Sequence, residues 1–491
     1  MTHFTNPPMS VINVAQSSDY RNPTFSILSD STGACNWMAY PLTSITRTGS
    51  VATVTFNDHG LTTGDRIYVQ GADQAGYNGV KTVTSSTQNT FTYAVDSSTV
   101  TPATGTLYGY VEKRCYAQSW FSIASGLAKA SWKLIDYRAV PGETVAQIAA
   151  RVNDSIASGA QYIIIIGGGN DLWTVSKTDT EIQTLFNSLT AIVDTVLLSD
   201  RVPILCTCMP DNGIVGATIT NRKQIMKFNQ LIRDYCFVNP KVILCDFYAQ
   251  LIDSTNADGY AKTNAMSVDN MHPGAYGAQL MGTALYNALF QRVNIIDYAP
   301  MQINDTATRQ LSWNPLFNGT GTSSFTSGVT VTNCPDYGVA TKIGTGVWTI
   351  NSATRTTGSD GDAFGKNIVL STANAGNGDV VQVGQGNFLS QIGSATAVYG
   401  TVHLQITGAS RLALLKVGLQ AKISSLEQWT TCYEIGSGLQ TGMNDINLTL
   451  RTPKCIIPAG CTELGFYVVA QTGTTGAVTI KMGRNGVWEW T

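Results

Sequence analysis

The sequence predicts an α/β protein with a parallel sheet covered on both faces, together with two segments that contain only strands. Apolar strands alternate with amphipathic helices from about residue 115 to 290. Residues 43–112 are rich in Thr, Val, Gly and Ser and show short alternating strands, and the helical pattern ends near residue 300. The length of 491 residues exceeds what one hydrophobic core usually fills, which also indicates several domains.

The α/β elements are predicted in a regular order. Residues 25–28 form the first strand, and the β-rich segment interrupts the pattern soon afterwards. The later predicted strands are 132–137, 163–166, 202–206 and 242–245. The predicted helices are 117–130, one with apolar positions from 145 to 156, one with apolar positions from 182 to 196, 221–235 and 275–290.

The remaining segments contain strand patterns only. Predicted strands of the insertion are 51–56, 66–69, 82–84 and 91–95. Those of the C-terminal part are 329–332, 402–406, 412–414, 446–450, 464–468 and 478–480, typical of a sandwich of the jelly-roll kind. The predicted division is a lead or docking peptide at 1–22, an α/β domain at 23–42 and 113–298, an inserted β-module at 43–112, and a C-terminal β-sandwich at 299–491.

Composition and charge exclude several classes of function. A net charge of -2 argues against nucleic acid or an anionic membrane as a partner. Residues 1–21 show no signal-peptide pattern, and no apolar run approaches the ~20 residues that span a bilayer. The ten cysteines form no C-x-x-C pair and no Cys/His cluster, so we expect no metal site and reduced thiols, consistent with synthesis in a cytoplasm.

Two short motifs carry the elements of nucleophilic catalysis. Ser31 follows the first strand in the segment Leu-Ser-Asp-Ser-Thr-Gly, and Asp269 and His272 stand three residues apart. A serine hydroxyl needs a base that a third group holds in the correct tautomer. Of the four histidines, only His272 lies in the α/β part. The alternatives are an ordinary helix cap at Ser31 and a solvated Asp/His turn.

Two further residues can supply oxyanion donors. Asn170 ends the strand of four isoleucines, and Gly142 lies in the turn that opens the predicted helix with apolar positions from 145 to 156. The Ser31 and Gly142 backbone N–H groups and the Asn170 amide would form the oxyanion hole. The alternative for both Asn170 and Gly142 is a plain turn residue.

These residues resemble the four conserved blocks of the SGNH (GDSL-like) hydrolase family. Ser31 matches the first block, Gly142 the second, Asn170 the third, and Asp269 with His272 the D-x-x-H block. Ser29 departs from the family pattern, because a glycine usually precedes the aspartate. The resemblance implies a flavodoxin-like α/β/α fold and ester hydrolysis through an acyl-enzyme at Ser31, with no cofactor.

A second resemblance concerns the setting of the enzyme. Residues 59–65 and 71–79 resemble a small β-module of bacteriophage tail and baseplate proteins, and the C-terminal part resembles carbohydrate-binding sandwiches of phage tailspike esterases. Five tryptophans of that part can stack on sugars or pack in a core, namely Trp313, Trp348, Trp429, Trp488 and Trp490.

The two resemblances imply an esterase of the virion tail. It would remove O-acetyl groups from a bacterial capsule or O-antigen, act outside the host cell with other tail proteins, and form an oligomer, most plausibly a trimer. The alternatives are a short-chain lipase or thioesterase, and a non-catalytic receptor-binding adhesin.

Overall fold

The computed structural model describes residues 23–295 and 380–490, except 425 and 436–441. Between residues 295 and 380 it describes five strands, of which only the backbone is described. Only the backbone is described at residues 37–39 as well. The predicted lead peptide at 1–22, Trp313 and Trp348 lie outside the described residues. The five strands are Ser324–Phe325, Thr330–Val331, Gly338–Ile343, Thr349–Thr354 and Lys366–Thr372.

A parallel sheet of five strands forms the centre of the α/β domain. In chain order its strands are Thr24–Ser29, Lys133–Ala139, Tyr162–Ile166, Val202–Cys206 and Ile243–Cys245. The first strand pairs with both the second and the third, so the spatial order is 2-1-3-4-5. This is the flavodoxin-like order. The prediction of a parallel α/β sheet is confirmed.

The helices of this domain fall into two groups, and the helices within each group contact one another. One group joins Trp120–Leu127, Phe247–Leu251 and Ala275–Leu289, and the other packs around Asp179–Leu198. Right-handed crossovers place such groups on opposite faces of a 2-1-3-4-5 sheet. The second group also contains Val145–Ala149, Val152–Ala157 and Ile219–Val238.

One predicted helix is wrong in detail. The apolar spacing from residue 145 to 156 indicates a single helix, but the structure has two, separated by Ala150 and Arg151. The side chain of Arg151 bonds the backbone carbonyl oxygens of Ser29 and Arg138. The position of this turn follows from contacts with distant residues, which apolar spacing does not encode.

The inserted segment has a hydrophobic core of its own, built from 14 buried residues between Leu42 and Val111. Its strands are Trp37–Pro41, Ser44–Thr48, Val51–Thr55, Arg66–Ala72, Gly79–Thr82, Ser85–Ser86, Thr90–Ala94 and Gly105–Cys115. The strand predicted at 82–84 lies instead at Gly79–Thr82. Gly105–Cys115, which pairs with both Trp37–Pro41 and Arg66–Ala72, was not predicted.

The C-terminal part is rich in strands, as predicted, while its assignment as a jelly-roll sandwich stays a prediction. Its fully described strands are Val380–Gln385, Ala397–Thr407, Leu412–Ile423, Leu426–Ile435, Ile446–Arg451, Cys455–Ile456, Glu463–Thr472 and Val478–Glu489. Trp429 and Trp488 are buried, which favours packing over sugar binding for both.

The C-terminal strands pack directly on the rest of the chain. Thr431 pairs with Arg114, whose guanidinium forms a largely buried ion pair with Glu434. A Cβ atom on Gly126 would lie 3.1 Å from Cβ of Leu448, so the helix and this strand are in close contact. Within the described ranges, no helix combines the length and apolar character needed to cross a membrane.

Candidate active site

Ser31 lies in a tight turn directly after the first strand of the sheet. Asp30 caps the short helix Ser31–Ala34, because its Oδ1 accepts a hydrogen bond of 2.9 Å from the Thr32 amide. The Gly33 and Ala34 amides also donate within the turn, to the Asp30 carbonyl oxygen. The Ser31 amide donates to none of the described residues, so it remains available to an oxyanion.

Asp269 and His272 are joined as the sequence predicts. The Nδ1 atom of His272 lies 2.6 Å from Oδ2 of Asp269, while Oδ1 accepts bonds from the Ser267 hydroxyl and the Met271 and His272 amides. Burial acts to raise the pKa of Asp269, but these hydrogen bonds outweigh it and hold the pKa well below its usual range. The ionised carboxylate therefore favours a proton on Nδ1, which leaves Nε2 as the base.

The serine and the Asp/His pair meet in one open cleft at the carboxyl end of the sheet. Ser31, Asp269 and His272 all line it. The other lining residues are Ala34, Cys35, Tyr110, Tyr116, Gln118, Pro141 and Ser267. Nε2 of His272 is buried and bonds to none of the described residues, Ser31 included. The proton-transfer bond is thus not made in the free enzyme, a common state before substrate binds.

The two other predicted oxyanion residues lie beside this cleft. Asn170 and Gly142 are not among the lining residues, although Pro141, the neighbour of Gly142, is. Nδ2 of Asn170 donates a hydrogen bond of 2.9 Å to the carbonyl oxygen of Glu143. Gly142 has φ +82°, and a Cβ atom there would meet no atom within 4 Å. Asn170 is therefore tied to the loop of Gly142, with its second amide hydrogen not used by this bond.

Arg151 connects that loop to the strand that carries the serine turn. Its guanidinium pairs with the Glu143 carboxylate and donates to the carbonyl oxygens of Ser29, at 3.2 Å, and Arg138. Both side chains of the ion pair are mostly buried, with 19% and 16% of their surface exposed. The helical spacing of apolar residues did not predict that Arg151 links these segments. Its three partners are 8 to 122 residues away in the sequence.

The thiol of Cys35 also lines the cleft but is poorly suited as a nucleophile. Burial raises its pKa, and the negative charges of Asp269 and Asp30 raise it further. Its Sγ atom donates to the Ser31 carbonyl oxygen at 3.3 Å. The neutral thiol leaves Ser31 as the nucleophile that the geometry favours.

Sequence reasoning missed the aromatic and amide side chains of the cleft wall. Tyr110 lies in the strand Gly105–Cys115, whereas Tyr116 and Gln118 follow the end of that strand. Strand alternation indicates which residues share a face with Tyr110, although it does not reveal what that face meets. Among the described residues, no three His, Cys, Asp or Glu side chains are grouped as a metal site requires.

One comparison with known proteins, the match to a family model, agrees with this chemistry. Residues 96–280 match the model of the GDSL-like Lipase/Acylhydrolase family. The match includes Gly142, Asn170, Asp269 and His272. It begins within the inserted segment, before the strand Gly105–Cys115, and does not include Ser31. It supports an acylhydrolase, or esterase, activity for this chain. A search of curated proteins found no match.

Solved structures similar to part of the chain have low sequence identity. A putative lipolytic protein of the G-D-S-L family from Desulfitobacterium hafniense is 20% identical, with 35% of this chain and 89% of that chain covered and a TM-score of 0.29. An acetyl xylan esterase is 16% identical, with 35% and 90% covered and a TM-score of 0.29. A mutant acetyl-xylooligosaccharide esterase from Geobacillus Stearmophilus is 12% identical, with 55% and 95% covered and a TM-score of 0.32.

Proposed function

We propose that this chain is a serine esterase and that it removes O-acetyl groups from bacterial surface polysaccharide. The premise is that it carries a GDSL-like acylhydrolase domain. The observation that carries the proposal is the meeting of Ser31 and the bonded Asp269–His272 pair in one cleft. In this proposal Ser31 is the nucleophile, His272 the base and then the acid, and Asp269 the group that orients the imidazole.

The reaction follows from these roles. Oγ of Ser31 bonds to the acetyl carbon while Nε2 of His272 takes the hydroxyl proton, and the carbonyl π electrons move to the oxygen. The Ser31 and Gly142 amides and the Asn170 side chain would stabilise this oxyanion. When the C–O bond to the sugar breaks, the sugar oxygen takes the proton from His272. A water molecule, deprotonated by Nε2, then bonds to the acyl carbon. The bond from that carbon to Oγ breaks, Oγ takes the proton back from His272, and acetate leaves.

The lining of the cleft supports a sugar ester over a long acyl chain. Its ten lining residues include two tyrosines, a glutamine and a proline, and none is Leu, Ile, Val, Met or Phe. A lipase needs an apolar channel to bury its acyl chain, and burial of each methylene stabilises such a complex by roughly 0.8 kcal/mol. The described cleft offers no such channel, whereas tyrosine and amide side chains suit the mixed polarity of a carbohydrate.

The proposed setting is a phage tail, with the esterase acting outside the host cell as a trimer. The resemblance of residues 59–79 to a β-module of tail and baseplate proteins supports this setting.

The test is acetate release from O-acetylated polysaccharide by the wild type and by Ser31→Ala. We expect the variant to lose about 10⁴-fold or more in kcat, because the nucleophile is absent. Ser188→Ala, an exposed serine on the helix Asp179–Leu198, is the matched control and should keep the wild-type rate. Faster cleavage of 4-nitrophenyl octanoate than of any acetyl ester would favour the lipase alternative, and a wild type inert on all esters would favour the adhesin.

A further inference from the structure

The inserted module supplies one wall of the catalytic cleft. Its strand Gly105–Cys115 alternates between two environments, since successive side chains point to opposite faces. Val111 faces the core of the module with Ile67 and Val69. Tyr110 lies on the other face and lines the cleft with Ser31 and His272. The module therefore adds a side chain to the site of a domain that it interrupts.

A second tyrosine extends this wall outward. Tyr108 stands two positions before Tyr110 on the same face, about 6.7 Å further along the strand, and 40% of its surface is exposed. So large an exposed fraction leaves a ring face open to a ligand. Tyr108 is thus the next aromatic group that a chain-like substrate leaving the cleft on this side would meet.

The neighbouring strand holds this wall against the domain. Tyr68 pairs with Tyr110 across the ladder, with ring centroids 5.7 Å apart, and Gln70 pairs with Tyr108. The Gln70 amide donates to the carbonyl oxygen of Pro141 at 3.4 Å. Tyr68 is 4% exposed and belongs to the main hydrophobic core. The wall is buried and hydrogen-bonded where it meets the domain, and Tyr108 at its outer end is exposed.

We propose that Tyr110 and Tyr108 form a sugar-binding subsite that holds the glycan chain on one side of the acetylated residue. The proposal rests on the esterase function proposed above. A pyranose has an apolar face of C–H groups and a rim of hydroxyls, which matches a tyrosine ring and its hydroxyl. Because both rings stand on a strand rather than a loop, little conformational entropy is lost on binding. Burial raises the pKa of Tyr110 to about 12, so its hydroxyl stays neutral and can donate to a sugar oxygen.

The test compares a polymeric substrate with a small one. The probes are acetylated xylan and O-acetylated alginate as polymers, and 4-nitrophenyl acetate as the small ester. The measured quantity is the polymer-to-aryl ratio, which is kcat/KM on the polymer that the wild type cleaves divided by kcat/KM on the aryl ester. We expect this ratio to fall about tenfold or more in Tyr108→Ala and in Tyr110→Ala. Phe at either position should keep most of that ratio, since the ring face remains. Phe237→Ala, which removes an aromatic ring that is 89% exposed on the helix Ile219–Val238, is the matched control.

The outcomes separate the subsite from the function. A polymer-to-aryl ratio that stays within twofold of the wild type in both alanine variants overturns the subsite while the esterase function stands. A wild type that cleaves 4-nitrophenyl acetate but neither polymer overturns the subsite while the esterase activity stands. Binding of the de-O-acetylated polymer by Ser31→Ala, weakened by Tyr108→Ala in the same background, is the further expected result. Equal binding with and without the Tyr108 ring also counts against the subsite.

Discussion

Arg151 and Glu143 form an ion pair that ties the loop of Gly142 to the strand that ends at Ser29. Nε of Arg151 lies 3.0 Å from Oε2 of Glu143, and Nη2 lies 3.2 Å from the Ser29 carbonyl oxygen. Asn170 bonds the carbonyl oxygen of the same Glu143. The candidate oxyanion donors and the nucleophile thus share one set of polar contacts, which fixes their separation.

Arg151→Met should lower kcat about 10–100-fold with little change in KM, because a shift of the Gly142 loop weakens contacts made mainly in the transition state. Arg151→Lys should recover little, since an ammonium cannot bond the three acceptors in the planar geometry of a guanidinium. Steady-state kinetics on 4-nitrophenyl acetate measures both effects.

The double variant Arg151→Met/Glu143→Gln separates positioning from stability. A mostly buried carboxylate left without its partner is destabilising, and the Glu143→Gln substitution replaces that charge with a neutral amide. We expect the double variant to regain much of the Tm lost by Arg151→Met without regaining kcat. If kcat returns together with Tm, Arg151 acts only on stability and our account of its role is wrong.

Asn170 has one observed contact, with Glu143, and one proposed role, as an oxyanion donor. Loss of one donor to an oxyanion costs about 10²–10³ in kcat, so Asn170→Ala should fall by that factor with KM nearly unchanged. Asn170→Asp keeps the size of the side chain but presents no amide donor, and it should fall by at least as much. A decrease of less than twofold in kcat for Asn170→Ala would show that the amide does not donate to the oxyanion.

Asp269→Asn should lower kcat by about 10³–10⁴, because the carboxylate no longer orients the imidazole and stabilises its charged form. The folded-state pKa of Asp269 is depressed, so its charge stabilises the fold above the unfolded value of ~3.9, and that contribution is lost as pH falls through the lower folded pKa. The Tm difference between wild type and variant should therefore be largest near neutral pH and smaller in strong acid. A variant with wild-type kcat would contradict the role of Asp269.

The parts of the site that follow strand ends could be predicted from the sequence. Continuous apolar runs mark buried parallel strands, and polar residues directly after them lie at one edge of the sheet. This reasoning placed Ser31 and Asn170 at the same edge. Asp269 and His272 are three residues apart, so their contact is local and can be predicted from a sequence pattern.

Contacts between distant segments could not be predicted in this way. The helical spacing of apolar residues continues through the turn at Arg151, so it predicts one helix. It carries no information on the carbonyl oxygens to which the guanidinium donates. The position of Tyr110 in the cleft wall depends on how the inserted module packs against the α/β domain, which the sequence pattern does not show. The departure at Ser29 was visible in the sequence, but its consequence was not: Oγ accepts a bond of 3.0 Å from the Gly33 amide. A Cβ on Gly33 would lie 2.7 Å from that of Ser29, so the two positions constrain each other.

Asp30 should show the opposite pH dependence to Asp269. The residue is 1% exposed, and burial raises its pKa despite the hydrogen bonds from Thr32 and the nearby charge of His272. A raised carboxyl pKa means that folding favours the protonated form. Stability is therefore lost as pH rises from the unfolded value of ~3.9 through the folded pKa.

Asp30→Asn removes this cost, because the amide oxygen can still accept from the Thr32 amide that caps the turn at 2.9 Å. We expect the variant to have a higher Tm than the wild type at pH 7, and the difference to shrink as the pH is lowered towards 4. Thermal unfolding followed by circular dichroism across this range measures it. Asp30→Ala, which loses the acceptor, should be less stable than Asp30→Asn at every pH, typically by ~1 kcal/mol for a lost cap. A lower Tm for Asp30→Asn than for the wild type at pH 7 would mean that the buried charge is stabilising, held by Thr32 and by a protonated His272.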